Sequence, residues 1–168
     1  MNQKIFSAKK EYNLKLKEKY WFLKKEKAIW LVKLSNKNLI IELRDAFLDL
    51  PVAFIIEMEN IETEKLWKNI VATSKVPESY LVWLDFVICD KDISSLKKYL
   101  ENWVTPIISQ NNPLKSILKE FNPIKNEWNS FIYENENKWS IFYSLVRYLE
   151  NYKFPFDNKN LVKNILNI

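Results

Sequence analysis

The chain contains no glycine in 168 residues. Glycine supplies the left-handed backbone positions of tight turns and helix ends, so a chain without it must find other residues for those places. Asparagine is the usual substitute at a helix C-terminus, and it is plentiful here. Type I′ and II′ hairpin turns also lean on glycine, which argues against an all-β fold. Phosphate-cradling loops are excluded as well, because neither a Walker-type loop nor a G-x-G-x-x-G turn can be written.

Histidine is absent too, which removes the commonest general base near neutral pH and every Ser-His-Asp or Cys-His arrangement. The one cysteine, Cys89, cannot form an internal disulfide and lacks a histidine to activate it. It reads as a buried structural thiol in a reducing compartment. One Cys and no His cannot build a zinc site, and an EF-hand would want a glycine at its sharp turn. No cofactor and no metal is therefore expected.

An apolar fraction of 48% marks a folded chain, and its length suits a single domain spanning 1–168. The longest apolar runs, "AIWLV" and "VAFII", are far short of the roughly 20 residues of a membrane span. The N-terminus is charged and lacks the apolar stretch of a signal peptide. These features predict a cytoplasmic protein with no membrane partner. Charge is uneven: residues 1–37 hold 11 Lys and 3 Glu, a net of +8, against +5 for the whole chain, leaving −3 for residues 38–168. A basic segment 1–37 packed on a mildly acidic helical body 38–168 is the expected arrangement.

Helix signals recur along the body. "NLIIELRDAFLDL" reads as a short helix stopped by Pro51, and "ETEKLWKNIVATSK" as another. Pro77 and Glu78 open a helix in "KVPESYLVWLDFVIC". Asn112–Pro113 and Asn122–Pro123 form N-cap and first-turn pairs for "NNPLKSILKEF" and "FNPIKNEWNSFIY". Ile93, Leu96, Leu100 and Trp103 recur at helical spacing, as do Trp139, Phe142, Leu145, Leu149 and Tyr152. Asp157 caps a last helix with Leu161, Ile165 and Ile168 on one face. The fold class predicted is mainly α, a bundle of about six to eight helices. The alternative is α+β, with a small N-terminal antiparallel sheet from residues 12–43 and a helical C-terminal part. The two differ at "KKEYNLKLKEKYWFLKKEKAIWLVK", residues 9–33. As a helix its seam runs through Tyr12, Leu16, Tyr20, Leu23 and Trp30; as a strand Lys15, Lys17 and Lys19 share one face.

Three functions follow from these patterns. The first is a non-catalytic binding or assembly subunit of a larger complex, whose surplus aromatics contact protein partners. The second is a nucleic-acid-contacting accessory protein. Cations flank aromatic platforms in its basic segment, so Lys9, Lys10, Lys15, Lys17, Lys19, Tyr20, Trp21, Lys24, Lys25 and Lys27 would meet nucleic acid or another anionic partner. The third is a carboxylate-dependent enzyme using Glu42, Asp45 and Asp49, which fall at i, i+3, i+7 on one helical face. That triplet reads more simply as a solvated face, opposite Leu43, Phe47 and Leu50. Trp67, Trp83, Trp103, Trp128 and Trp139 are expected in the core, and Arg147 in a helix-surface salt bridge. The non-catalytic subunit is the favoured reading, with no catalytic residue assigned.

Overall fold

The computed structural model describes residues 2–23, 25, 27–91, 93–122, 124–125 and 127–165. The elements in chain order are α1 (Asn2–Lys19), β1 (Ile29–Lys33), α2 (Lys37–Asp49), β2 (Ala53–Glu57), β3 (Glu64–Trp67), β4 (Ile70–Thr73), β5 (Phe86–Cys89), α3 (Ile93–Glu101), β6 (Thr105–Ser109), β7 (Phe131–Tyr133), α4 (Lys138–Tyr152) and α5 (Pro155–Ile165). Two 3₁₀ turns, Glu78–Trp83 and Pro113–Ser116, lie between them.

The strands form one seven-stranded sheet in the order β3-β4-β2-β1-β5-β6-β7. Every pairing is parallel except β3 with β4. Leaving out the antiparallel edge β3, the six parallel strands lie in the order 3-2-1-4-5-6, the doubly wound arrangement of dinucleotide-binding folds. Connections leave β1 to the left through α2 and leave β5 to the right through α3. Right-handed crossovers place these two helices on opposite faces of the sheet.

A helical bundle is therefore the wrong class, and so is the small N-terminal antiparallel sheet. The misreading has a physical cause. Strands buried on both faces show unbroken apolar runs rather than alternation, and short runs of that kind cannot be told from pieces of buried helix. "IWLVK", "AFIIE", "IVAT", "FVIC" and "TPIIS" are such runs, nearly all buried. The missing glycine misled as well. It disfavours tight hairpins, but parallel strands are joined by crossovers that need none. The one hairpin among the described residues, β3–β4, turns at Lys68–Asn69 without a positive φ.

Individual segments part from their expected form accordingly. "ETEKLWKNIVATSK" is that hairpin, and "KVPESYLVWLDFVIC" is a 3₁₀ turn followed by β5. Asn112 does cap, accepting from the Leu114 N–H at 3.0 Å, but the turn after it lasts only four residues. After Asn122 the chain runs as turn and loop into β7; Pro123 lies outside the described residues. α2 forms where expected, with Leu39, Ile40, Leu43 and Phe47 inward and Glu42, Asp45 and Asp49 all exposed. In α4 the buried apolar and aromatic residues are Ile141, Leu145, Tyr148 and Leu149, while Trp139 is 71% exposed. α5 starts at Pro155, two residues ahead of the expected Asp157 cap, and buries Leu161 and Ile165; Ile168 lies outside the described residues.

The core is one continuous cluster centred on Trp30, which is fully buried. Trp30 meets Phe54 and Phe86 edge-on, and Tyr148 of α4 from above. Phe47 of α2 stacks on Phe54 with ring centroids 4.2 Å apart, so α2 and α4 cover the same face. Leu16 of α1 and Tyr20 just after it are buried, and Tyr12 of α1 stacks on Trp83 at 5.4 Å. Trp30, expected within a basic segment, is the middle of the sheet because β1 begins ten residues after α1 ends.

Tryptophan stands where glycine would ordinarily end a helix, and it does so twice. Trp21 (φ 57°) follows α1 and Trp103 (φ 59°) follows α3. After each, the chain doubles back in a Schellman pattern. Phe22 N–H donates to Lys17 O at 2.8 Å and Trp21 N–H to Glu18 O at 3.3 Å. Val104 N–H donates to Tyr99 O and Trp103 N–H to Leu100 O, both at 3.0 Å. Among the described residues asparagine takes the left-handed region only at Asn60. A non-glycine residue there costs about 1–2 kcal/mol. Trp21 is 55% exposed, so little packing offsets that strain. Trp21→Gly is expected to raise stability by about 0.5–1 kcal/mol, read from urea melts. A lower urea midpoint would show that the indole contributes more than the backbone strain.

Candidate functional site

In an open doubly wound sheet, ligands bind outside the carboxyl ends of the strands, where the strand order reverses. Here that point lies between β1 and β5. A crevice of about 510 Å³ opens there, within the usual size range of small-ligand sites. Four of the six parallel strands reach it at or just past their carboxyl ends: Lys33 ends β1 and Ser35 follows two residues on, Glu57 ends β2, Ser74 follows β4 and Asp90 follows β5.

The turn from β1 into α2 is Leu34-Ser35-Asn36, with no glycine to let a phosphate approach the backbone. Asp90 braces it instead: Oδ2 accepts from the Ser35 N–H at 2.7 Å and Oδ1 from the Ser35 hydroxyl at 3.0 Å. Asn36 caps α2, its Oδ1 accepting from Asn38 N–H at 3.1 Å. Backbone donors that would serve a phosphate in a glycine-rich loop are thus taken by the chain's own side chains. Positive charge comes instead from Lys33, Lys37 and Lys91, which line the crevice. Lys37 is the first residue of α2 and sits at the positive end of its dipole.

Lys33 is fixed in place. Its Nζ lies 3.1 Å from Glu57 Oε2 and 5.8 Å from the centre of the Tyr99 ring. Glu57 is itself anchored, since Oε1 accepts from the Val76 N–H at 2.8 Å. Burial pushes the Tyr99 hydroxyl up to about 12, against the pull of Lys33, so it stays protonated. Leu34, Ile40 and Met58 add an apolar wall. The crevice therefore pairs ammonium groups with apolar surface and carboxylates, a set suited to a phosphorylated ligand with an apolar ring and hydroxyls.

The residues singled out from the sequence lie elsewhere. Lys15 pairs with Glu11 at 3.0 Å and Lys19 lies 4.3 Å over the Tyr80 ring. Tyr20 is core and Trp21 is exposed, its carbonyl accepting from Lys65 Nζ at 2.9 Å. Lys25 is exposed, and Lys24 lies outside the described residues. Lys9, Lys10, Lys17 and Lys27 converge at the opposite, amino end of the parallel strands. As a helix, α1 puts Lys15, Lys17 and Lys19 in three different settings rather than on one face: paired, buried and over a ring. Of the tryptophans expected inside, Trp128 is buried, whereas Trp67 and Trp139 are exposed. Among the described residues no three acidic or sulfur side chains come together as a metal site would need. Arg147 pairs with Glu120 at 2.6 Å on the face of Phe121 and Phe131. No described helix is long and apolar enough to cross a membrane.

The crevice residues escaped the sequence reading because nothing marks them locally. Lys33, Glu57 and Asp90 are far apart in the chain, and only the order of the strands brings them together. The usable signal was an apolar run ending in a charged residue, "IWLVK" and "AFIIE", repeated as it would be at the ends of parallel strands.

No known family profile matches this chain, and no curated protein does. Solved structures do match. The catalytic domain of starch synthase IV from Arabidopsis thaliana, bound to ADP and acarbose, superposes with a TM-score of 0.76 at 14% identity, covering 95% of this chain and 39% of that one. The glycosyltransferase of kitacinnamycin matches at 0.57 and 10% identity, covering 85% of this chain and 40% of its own. Spinosyn rhamnosyltransferase matches at 0.56 and 12%, with coverages of 84% and 42%. This chain thus spans about two fifths of the structures it matches. The likeness is one of fold, an α/β domain like those of the glycosyltransferases it matches. It overturns the reading as a non-catalytic complex subunit, which rested on missing catalytic equipment, surplus aromatics and uneven charge, and it gives no support to nucleic-acid binding.

Proposed function

We propose that this chain is the donor-binding part of a glycosyltransferase, holding a nucleoside diphosphate sugar in the crevice between β1 and β5. One observation carries the reading: Lys33, Lys37 and Lys91 gather at the switch point of a 3-2-1-4-5-6 sheet. The neighbours' names support it, since each is a sugar-transferring enzyme and one is described with ADP bound.

In glycosyl transfer the bond from the anomeric carbon to the diphosphate oxygen breaks, and the acceptor hydroxyl forms a new bond there and gives up its proton. Negative charge accumulates on the departing diphosphate. Lys33 and Lys37 stabilise it, more strongly for being held in place before the reaction begins. Glu57 keeps Lys33 aimed at the crevice mouth, and Asp90 keeps the turn rigid. Met58, Ile40 and Leu34 take the base, and the carboxylate of Glu59 serves the ribose hydroxyls. The acceptor sugar is assigned to the part of such enzymes that this chain does not span. A cytoplasmic location goes with this reading, where nucleotide sugars are made and the lone Cys89 stays reduced.

The test is a calorimetric titration of the chain with ADP and UDP, with adenosine and uridine as controls. Saturable binding of a diphosphate but of neither nucleoside is expected. If neither diphosphate binds, the crevice is not a donor site.

A further inference from the structure

Between β2 and β4 a doubly wound sheet places a crossover helix, and a right-handed crossover would set it on the face that α2 covers. This chain puts the short edge strand β3 there instead. Among the described residues no helix stands between β2 and β4, and a pocket of about 380 Å³ opens beside α2 over these strands. Its accessible wall is apolar. Ile41 of α2 is 66% exposed and Trp67 of β3 is 40% exposed, with Leu66 and Met58 half-buried beside them. Phe47 and Ile70 lie behind as core. Large apolar side chains turned outward around one pocket mark a surface that a bound apolar group would cover.

Among the described residues the charged groups in its lining are Lys37 and Arg44, both exposed, and no carboxylate joins them. The Arg44 guanidinium lies 5.9 Å over the Trp67 ring, which holds it at the pocket. Asp45 accepts from its Nε–H at 2.8 Å, one of the five donors that a guanidinium carries. A nucleobase or a sugar would leave its own donors and acceptors unmet against so apolar a wall. We propose that this pocket binds a medium-length fatty carboxylate, its hydrocarbon chain along Ile41, Leu66 and Trp67 and its carboxylate at Arg44 and Lys37. Arginine matches a carboxylate in charge and in planar geometry. At roughly 30 Å³ for each water-sized group, the volume suits a chain of about ten carbons. Lys37, Ile40 and Met58 line this pocket and the donor crevice alike, so the two adjoin. The fatty carboxylate is held here whether or not the crevice takes a nucleotide.

The test titrates decanoate, octanoate, decanol and acetate into the protein by calorimetry, below micelle-forming concentrations and with no nucleotide present. Decanoate is expected to bind saturably, and octanoate about tenfold more weakly for its two fewer methylenes. Decanol should bind more weakly than decanoate, and acetate not at all. Arg44→Glu reverses the charge at an exposed position, so it should weaken decanoate about tenfold or more and leave decanol unchanged. Ile41→Asp sets a carboxylate on the apolar wall and should weaken both ligands about tenfold or more. Circular dichroism melts confirm that each variant is folded, and either folded variant carries the test by itself. The proposal is overturned if decanoate does not bind, if octanoate binds as tightly as decanoate, or if decanoate binding is unchanged in a folded variant. Failure of ADP and UDP to bind bears on the crevice alone.

Discussion

Asp85→Ala will destabilise the domain by about 3–5 kcal/mol, the cost of breaking a buried charge cluster by removing one member. The carboxylate joins three elements. It holds Ile29 N–H at the start of β1, Asn13 of α1, and the Tyr152 hydroxyl of α4, and it lies beside Lys9 and Lys17. Alanine leaves a buried backbone donor unmet and removes the counter-charge from ammonium groups sunk under α1. Asp85→Asn keeps an acceptor oxygen and should cost less. Burial raises the Asp85 pKa above the ordinary carboxylate value, with Lys9 pulling the other way. The sign of the pH effect follows: a group whose folded pKa is raised adds stability below its unfolded pKa and loses it as pH rises through the folded one. The wild type's margin over Asp85→Asn should therefore shrink as pH rises across that window. Urea melts of the three proteins over a pH series measure both effects. An alanine variant within about 1 kcal/mol of wild type would mean that the cage is incidental.

The largest functional effect is expected at the crevice. A hydrogen bond to a charged group contributes about 1.5–3 kcal/mol, so losing two ammonium contacts to a diphosphate should weaken ADP binding about a hundredfold or more. Lys37→Ala removes an exposed side chain at the start of α2 and should lose about tenfold without changing the melting curve. Lys33→Met does more, because it also leaves Glu57 without its ion-pair partner, although the Val76 N–H still holds that carboxylate. The double variant Lys33→Met/Lys37→Ala is therefore the decisive one. If it binds ADP as the parent does, the nucleotide sits elsewhere. A higher salt concentration should weaken the parent's binding and leave that of the double variant nearly unchanged.

Some of this was legible in the residues alone. α2, α3 and α4 declared themselves through periodicity, and Pro51 and Asn112 punctuate the chain as their chemistry requires. The turn after β1 carries no glycine and is held by Asp90. The exclusion of enzymatic function went too far. A chain without histidine or glycine-rich loops can still gather lysines at the ends of parallel strands, and the inventory of residue types does not report where strands end.

Local sequence thus decides which helices form, where they are capped, and which chemistries have no residues to carry them, because those depend on neighbours within a few positions. Parallel pairing decides the rest. It joins Lys33 to Glu57 and brings Asp90 under Ser35. At the opposite, amino end of the strands it sets Asp85 against β1. None of these contacts is written in any short window, since a buried parallel strand looks the same whichever partner it takes. Even the two tryptophans at helix ends follow this rule. Their left-handed backbone is imposed by chains doubling back into the sheet, against the preference of the residue itself.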